Sequence, residues 1–542
     1  MRKLILILFL LPSLGVLAQT KKPKLVVGIV VDQMRHEYLQ RFESKYGNDG
    51  FKRMIRDGFE ARNNHYNYIP TYTAPGHASI YTGTTPRYHG IIGNDWYSRV
   101  LGRSVYCVGD TAANNVGGSA LSGKISPKNL FVNTITDELK LTTNFRSKVV
   151  GVSIKDRGAV LPAGHSSDGA YWYDSRTGEF MTSDFYMDAL PQWVVDFNQK
   201  KLVDKYSNQT WNTLLPIAEY TESTPDDSPY EYGFEGKDTP TFPYDLKVLR
   251  EQNGPYGLIR STPFGNSLVL DLAKASIKGE KLGTDQITDF LAVSLSSPDY
   301  VGHNFGPNSV EVEDTYLRLD KDLGDFLAYL DKEIGAGEYV VFLTADHGVV
   351  ANPQFLLDHG LPGGYIDTDE VKEIFADAVA QNLGEGDYLL SMSNDQIFLN
   401  RDLIDSAGLD LEIIQKAFAE AAMKIPAVAE AFTATSLATM DYSDPMRTNL
   451  QNGYNRKLSG DVLLFMKPGY LTNTYGLKGA SHGTGYSYDT HVPLLFFGAG
   501  IKKGATVEKT YITDIAPTLA MLLNISIPNA AVTGAPIEEI FE

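Results

Sequence analysis

One form recurs along this chain: an unbroken apolar run that stops at a polar or charged residue. "KLVVGIVVDQM" ends its run at Asp32, and "SKVVGVSIKDRG", "DFLAVSLSSPDYVGH" and "EYVVFLTADHG" repeat the pattern. A β-branched run without polar alternation fits a strand covered on both faces, the situation found in a parallel sheet. "GDVLLFMKPGY" and "HVPLLFFGAG" supply two further strands of that sheet. Helical patterns separate the strands. Val312, Tyr316, Leu319, Leu323, Phe326 and Leu330 make one apolar stripe among charged positions, and "TDIAPTLAMLLN" reads as a capped helix packed on the sheet. This alternation predicts an α/β fold, a three-layer sandwich around a mostly parallel central sheet. Ligands in such folds bind beyond the carboxyl ends of the strands. The unusual polar residues of this chain fall there.

Two stretches break the alternation. Residues 165–285 are rich in Tyr, Trp, Pro and acids with weak periodicity, as in "SPYEYGFEGKDTPTFPYD". Residues 352–478 hold the helical patterns "DEVKEIFADAVAQNL" and "LEIIQKAFAEAAMK", with a strand-like "YLLSMSNDQIFLN" between them. Both read as insertions that cap the active edge of one catalytic domain spanning 19–542.

The N-terminal "MRKLILILFLLPSLGVLAQT" departs from globular composition. A basic start, an apolar stretch from Leu4 to Leu11 and a small-residue site at Ala18 predict a signal peptide over 1–18, hence a periplasmic or secreted protein. Pro12 and Gly15 interrupt the run, which is too short to span a bilayer, and no later stretch is long and apolar enough. Cys107 is the only cysteine, so no intramolecular disulfide is possible, and no cysteine follows the apolar stretch to carry a lipid. The formal charge is −18, from 48 basic and 66 acidic residues. A surface this acidic repels nucleic acid and anionic membranes. If the chain handles anions, it needs a local positive centre, which metal ions can supply. A monomer is expected.

Asp346 and His347 stand side by side in "TADHG", directly after one strand run. Asp299 and His303 are four residues apart in "SSPDYVGHNFGP", after another, while Asp32 closes the first and His482 sits in "GASHGTGY". Three carboxylates and three imidazoles at strand ends suit zinc. Any one alone reads as a loop hydrogen bonder; the recurrence carries the argument. His36, His65, His89, His165, His359 and His491 show no comparable acidic partner and read as structural, and His77 as a packing residue. Thr73, in "PTYTAPGHAS", is either an N-cap or a reactive hydroxyl at the positive end of a helix. Two divalent ions about 4 Å apart are a recurrent device for phosphate chemistry. In that company Thr73 reads as the nucleophile, and a capping role is compatible with it.

The ordered set Asp32, "TAPGHAS", "GIIGNDWY", "PDYVGH", "ADHG" and "SHGTGY" resembles the alkaline phosphatase superfamily. It is most similar to the bacterial phosphate-irrepressible alkaline phosphatase branch, over essentially the whole mature chain. The resemblance implies two zinc ions, one held by Asp32, Thr73, Asp346 and His347, the other by Asp299, His303 and His482. It implies in-line attack by Thr73 on small phosphate monoesters, giving a phosphothreonine that zinc-bound hydroxide then hydrolyses. Asn94, Lys155 and Arg157 would bind the non-bridging oxygens, Lys155 and Arg157 alternating beyond a strand so that both face one side. Nucleotide pyrophosphatase/phosphodiesterases share the metal motifs and are the alternative. An inactive, receptor-like metal binder is a second one. The Lys-x-Arg pair favours the monoesterase, because a diester carries less charge and a substituent that the pair would crowd. Cys107 does not lie in the C/S-x-P-x-R motif of sulfatases. Thr73 and the export signal argue against phosphoglycerate mutases, which use Ser and manganese. No ligand set for a third, magnesium ion is evident.

Overall fold

The computed structural model describes residues 22–382, 386–472 and 477–541. The expected signal peptide lies outside them. The strands β1 (Leu25–Val31), β2 (Phe59–His65), β3 (Val149–Ser153), β4 (Gly169–Asp174), β5 (Glu179–Ser183), β6 (Asp289–Leu295), β7 (Tyr339–Thr344), β8 (Leu494–Gly498) and β9 (Gly504–Tyr511) join the short edge strand Asn115–Val116 in one sheet. Its order is β9-β2-β8-β7-β1-β6-β3-β4-β5-edge. β1 lies near the middle, parallel to β6 on one side and to β7 on the other, with Leu25 opposite both Asp289 and Tyr339. β3 and β4 extend the parallel set, whereas β5 and β8 run against it. β1, β3, β6 and β7 are buried along their whole length, as unbroken apolar runs require.

Among the helices that cover the faces are α1 (Thr73–Thr82), α2 (Asp156–Ala163), α3 (Phe264–Gly279), α4 (Ser297–Phe305), α5 (Val310–Leu330) and α6 (Ile515–Leu523). α1, α2 and α6 pack together in one layer; α3, α4 and α5 pack together in the other. The predicted stripe of α5 is buried throughout. α1 lies close enough that a Cβ on Gly28, in the middle of β1, would come within 2.4 Å of the Tyr81 hydroxyl. Gly28 thus leaves room for the Tyr81 side chain of the helix carrying Thr73.

The structure redraws both expected insertions. β4, β5 and α3 lie inside 165–285 yet belong to the central sheet and its helical cover. The "GAYWYD" strand is buried at all six positions beside β3, so its aromatic side chains fill core rather than roof a pocket. "GDVLLFMKPGY" contributes Val462–Met466 not to the central sheet but to a separate one, in the order Leu389–Ser393, Gln396–Leu399, Val462–Met466, Val428–Thr433. That sheet has its own apolar cluster, including Phe375, Ile397, Phe418 and Val462. A run buried by either sheet reads alike in sequence. "YLLSMSNDQIFLN" is a hairpin turning at Asn394 and Asp395, with φ of 53° and 56°, as a tight two-residue turn demands.

Candidate active site

Because β1, β6, β7 and β3 are parallel neighbours, the residues that follow them emerge at one edge. Asp32 follows β1, Asp346 and His347 follow β7, Asp299 lies in the first turn of α4 after β6, and Lys155 precedes α2 after β3. Asp32, Asp346 and His347 are fully buried. His347 Nε2 lies 3.4 Å from Asp32 Oδ1 and 3.7 Å from Asp346 Oδ1. Asp299 Oδ1 lies 3.1 Å from His303 Nε2 and 3.6 Å from His482 Nε2. The His347 and His482 rings stack at 3.5 Å, so the two half-sites share a wall. The structure thus brings all six sequence-predicted carboxylates and imidazoles together.

The donor atoms are prepared for cations. His347 Nδ1 donates to Gly348 O at 2.9 Å, His303 Nδ1 to Ala480 O at 2.7 Å, and His482 Nδ1 to Thr71 O at 2.8 Å. Each bond fixes Nδ1 as a donor and turns Nε2 toward the carboxylates. Burial holds His347 well below its ordinary pKa and His482 at about 3, so both are neutral at pH 7, the form in which an imidazole can ligate a cation. Asp32 Oδ1 and Asp346 Oδ2 are buried without a hydrogen-bond partner. Two close sets emerge, Asp32 with Asp346 and His347, and Asp299 with His347 and His482. A pair of divalent ions fits this donor set.

Without such ions the acids strain one another. Burial, then the Asp299 charge, raises Asp32 to about 6, and burial with the Asp32 charge raises Asp346 well above the ordinary carboxylate range. Burial opposes ionisation of Asp299 too, but His303 and Lys155 hold it well below the usual carboxylate range. Lys155 Nζ bridges the halves, 2.7 Å from Asp32 Oδ2 and 2.5 Å from Asp299 Oδ2.

Thr73 is the first residue of α1, not its N-cap; that position belongs to Tyr72, which makes no side-chain cap. The capping reading is therefore set aside. Thr73 Oγ1 faces the cluster, 3.5 Å from His347 Nε2 and 3.4 Å from Lys155 Nζ. Asn94 Oδ1 accepts from Ala74 N at 2.9 Å, which secures Asn94 beside Thr73 and leaves its NH2 group to donate. Lys155 and Arg157 do not alternate along extended chain, because α2 begins between them. Arg157 instead lies in the first turn of that helix, where it donates to the Tyr106 hydroxyl at 3.1 Å. His77 is no ligand: Nδ1 donates to Thr73 O at 2.8 Å and Nε2 meets Ser294 Oγ at 2.9 Å. His165 does have an acidic partner, Asp137 at 3.2 Å, away from the cluster.

Residues 26–490 match the family described as type I phosphodiesterase / nucleotide pyrophosphatase. The chain belongs to this family, within the alkaline phosphatase superfamily. It is 48% identical to alkaline phosphatase PafA of Elizabethkingia meningoseptica, over 96% of this chain and 94% of that one. It is also 48% identical to a Myroides odoratus protein named calcium-transporting ATPase, over 98% and 97%. Among the described residues, no helix is long and apolar enough to cross a membrane. The crystal structure of wild-type PafA superposes with a TM-score of 0.92 at 48% identity, covering 96% of this chain and 99% of that one. A second PafA structure carries substitutions of one Thr, one Asn, one Lys and one Arg.

Within this superfamily site, two residues gave no sequence signal. Gln33 has φ of 65°, a left-handed backbone that is costly for a side chain of its kind. Its N–H donates to Asp346 Oδ1 at 3.1 Å and its Nε2 to Asp299 Oδ1 at 2.7 Å, so one residue ties a carboxylate of each half-site. A Cβ on Gly302 would lie 1.8 Å from Gln33 Oε1, which accounts for the glycine in "DYVGH". Tyr300, from the same motif, places its ring centre 5.1 Å from Lys155 Nζ. An uncharged Gln and a Tyr inside a helix carry no spacing signature, so only the fold exposes them.

Proposed function

We propose that the chain is an exported, two-zinc alkaline phosphatase that hydrolyses phosphate monoesters through phospho-Thr73. The observation that carries this reading is Thr73 Oγ1, buried at the start of α1 within 3.5 Å of both His347 and Lys155. Asp32, Asp346 and His347 would hold one ion, Asp299, His303 and His482 the other. When bound, the ions supply Lewis acidity to the attacking and departing oxygens. Thr73 Oγ forms a bond to phosphorus as the bond to the leaving oxygen breaks, releasing an alcohol and leaving phosphothreonine. Water then displaces Thr73 Oγ and inorganic phosphate departs. The N-terminus of α1 favours the dianion throughout. Lys155, Arg157 and the Asn94 NH2 group would meet the non-bridging oxygens, whose charge a monoester keeps through the transition state.

The family description itself favours a second reading, diester or pyrophosphate hydrolysis at the same ligands. Lys155 and Arg157 separate the two. Hydrolysis of an aryl phosphate and the matching diester by zinc-loaded protein, with and without Lys155→Ala/Arg157→Ala, is the test. A monoesterase loses about a hundredfold or more of monoester rate and most of its preference in the double variant. A diester preference that the variant leaves intact overturns the assignment.

A further inference from the structure

We propose that the enzyme has a second anion subsite beside the metal ligands, which takes a phosphate or carboxylate carried on the leaving part of the substrate. The proposal rests on the monoesterase reading above. A cavity of about 360 Å³ is lined by Glu235, Lys237, Asn253, Arg260, Ser261 and Asn304 among others. It adjoins the site. Asn304 follows the ligand His303 in α4, and its carbonyl accepts from Tyr232 N, on the cavity wall, at 2.9 Å. Lys155 Nζ and Arg260 Cζ each lie 5.1 Å from the centre of the Tyr300 ring. Twice that distance is the most that can separate the cation touching Thr73 from the cation in the cavity.

Both cavity cations have capacity to spare. Arg260 uses Nε to donate to Gly257 O at 3.1 Å, and among the described residues no carboxylate pairs with its guanidinium. Lys237 Nζ donates to Thr241 Oγ1 at 3.4 Å and lies 5.5 Å from the centre of the Tyr244 ring, again without a paired carboxylate. Glu235 is the single acid among the lining residues, so the wall is net positive in a chain of net charge −18. A guanidinium with free NH2 groups beside an ammonium suits an oxyanion, which the fork can grip bidentately. Binding that remote group contributes to kcat/KM by orienting the scissile phosphate. Substrates with two anionic groups at opposite ends meet both requirements.

The test compares an aryl phosphate carrying a carboxylate on the ring with its uncharged carboxamide counterpart, for wild type, Arg260→Ala, Arg260→Lys and Lys237→Ala. The wild type is expected to favour the carboxylate by about tenfold in kcat/KM. That ratio falls toward one in Arg260→Ala and Lys237→Ala, survives in part in Arg260→Lys, and shrinks with added salt. A wild-type ratio near one overturns the proposal, as does a variant that slows both esters equally, which would mean that Arg260 only props Tyr300. Calorimetry with the matching non-hydrolysable phosphonates reads the same ratio as affinity. If neither ester turns over, the monoesterase reading fails while the calorimetric ratio still decides the subsite.

Discussion

Among the described residues, the buried carboxylates at the sheet edge and those at the start of α5 are neutralised in different ways. At the sheet edge, Asp32, Asp299 and Asp346 face Lys155 and three imidazoles whose Nε2 atoms are turned inward. At the start of α5, Glu311 is fully buried and Glu231 nearly so, and one oxygen of each lacks a hydrogen bond. Glu311 accepts from the Tyr244 hydroxyl at 2.5 Å, and no imidazole or ammonium touches either acid among the described residues. The first cluster offers a donor set that suits cations. The second resolves its charge with protons: burial raises Glu311 to about 8, and burial with the Glu311 charge raises Glu231 to about 10. Buried acids therefore do not by themselves favour cations; imidazoles oriented among them mark the difference between the two clusters.

The largest break should come from Thr73→Ala. The substitution removes the attacking oxygen and leaves both ligand sets, so turnover should fall on the order of 10⁴-fold or more. Metal content by elemental analysis should stay at two ions per chain. Loss of the ions along with activity would show instead that Thr73 is chiefly a ligand.

Chelation should divide the two clusters next. With cations stripped, three carboxylates are left against one another, and the melting temperature should drop by several degrees, restored by zinc in excess. The environment of Tyr244 and Glu311, followed by the ionisation of Glu311 in carboxyl NMR, should not move. A shift there on zinc addition alone would mean that the glutamates bind metal as well.

The clustering of acids and imidazoles at the sheet edge was legible in sequence because a parallel sheet converts "polar residue after an apolar run" into proximity. Asp32, Asp299, Asp346 and His347 needed nothing more. What stayed hidden had other causes. Val462–Met466 is as apolar as any central strand, and nothing in such a run names the sheet that will bury it. Lys155 and Arg157 do not alternate as an extended chain would require, since α2 begins at Asp156 without a clear stop in the strand pattern. The aromatic residues of β4 resembled a cap because a strand near the sheet edge need not be β-branched. Gln33 acts through a left-handed backbone, which residue type alone does not announce.

Gln33 offers a finer cut within the metal cluster. Gln33→Ala removes the bond to Asp299 and keeps the strained φ, while Gln33→Gly removes both the bond and the strain. Zinc affinity should weaken about 10- to 100-fold in each, as for other residues that orient ligands. Gln33→Gly should be the more stable of the two in urea. Equal zinc affinity in wild type and Gln33→Gly would show that the side chain orients nothing.

The smallest effect, and the most direct probe of the contrast, belongs to Glu311→Gln. An acid whose folded pKa is raised favours the fold while it remains protonated. That contribution is complete below the ordinary carboxylate pKa and is lost as pH rises through about 8 for Glu311 and about 10 for Glu231. Wild-type stability should therefore slope downward between pH 6 and pH 10. Gln keeps an oxygen to accept from Tyr244 but cannot ionise, and without the Glu311 charge Glu231 ionises less reluctantly. The variant's melting temperature should fall less over that range, with the two curves closest at pH 6 and diverging from there through pH 8 and beyond. A parallel slope in wild type and variant would place the alkaline sensitivity elsewhere, and the contrast between a cation-filled and a proton-filled cluster would not hold.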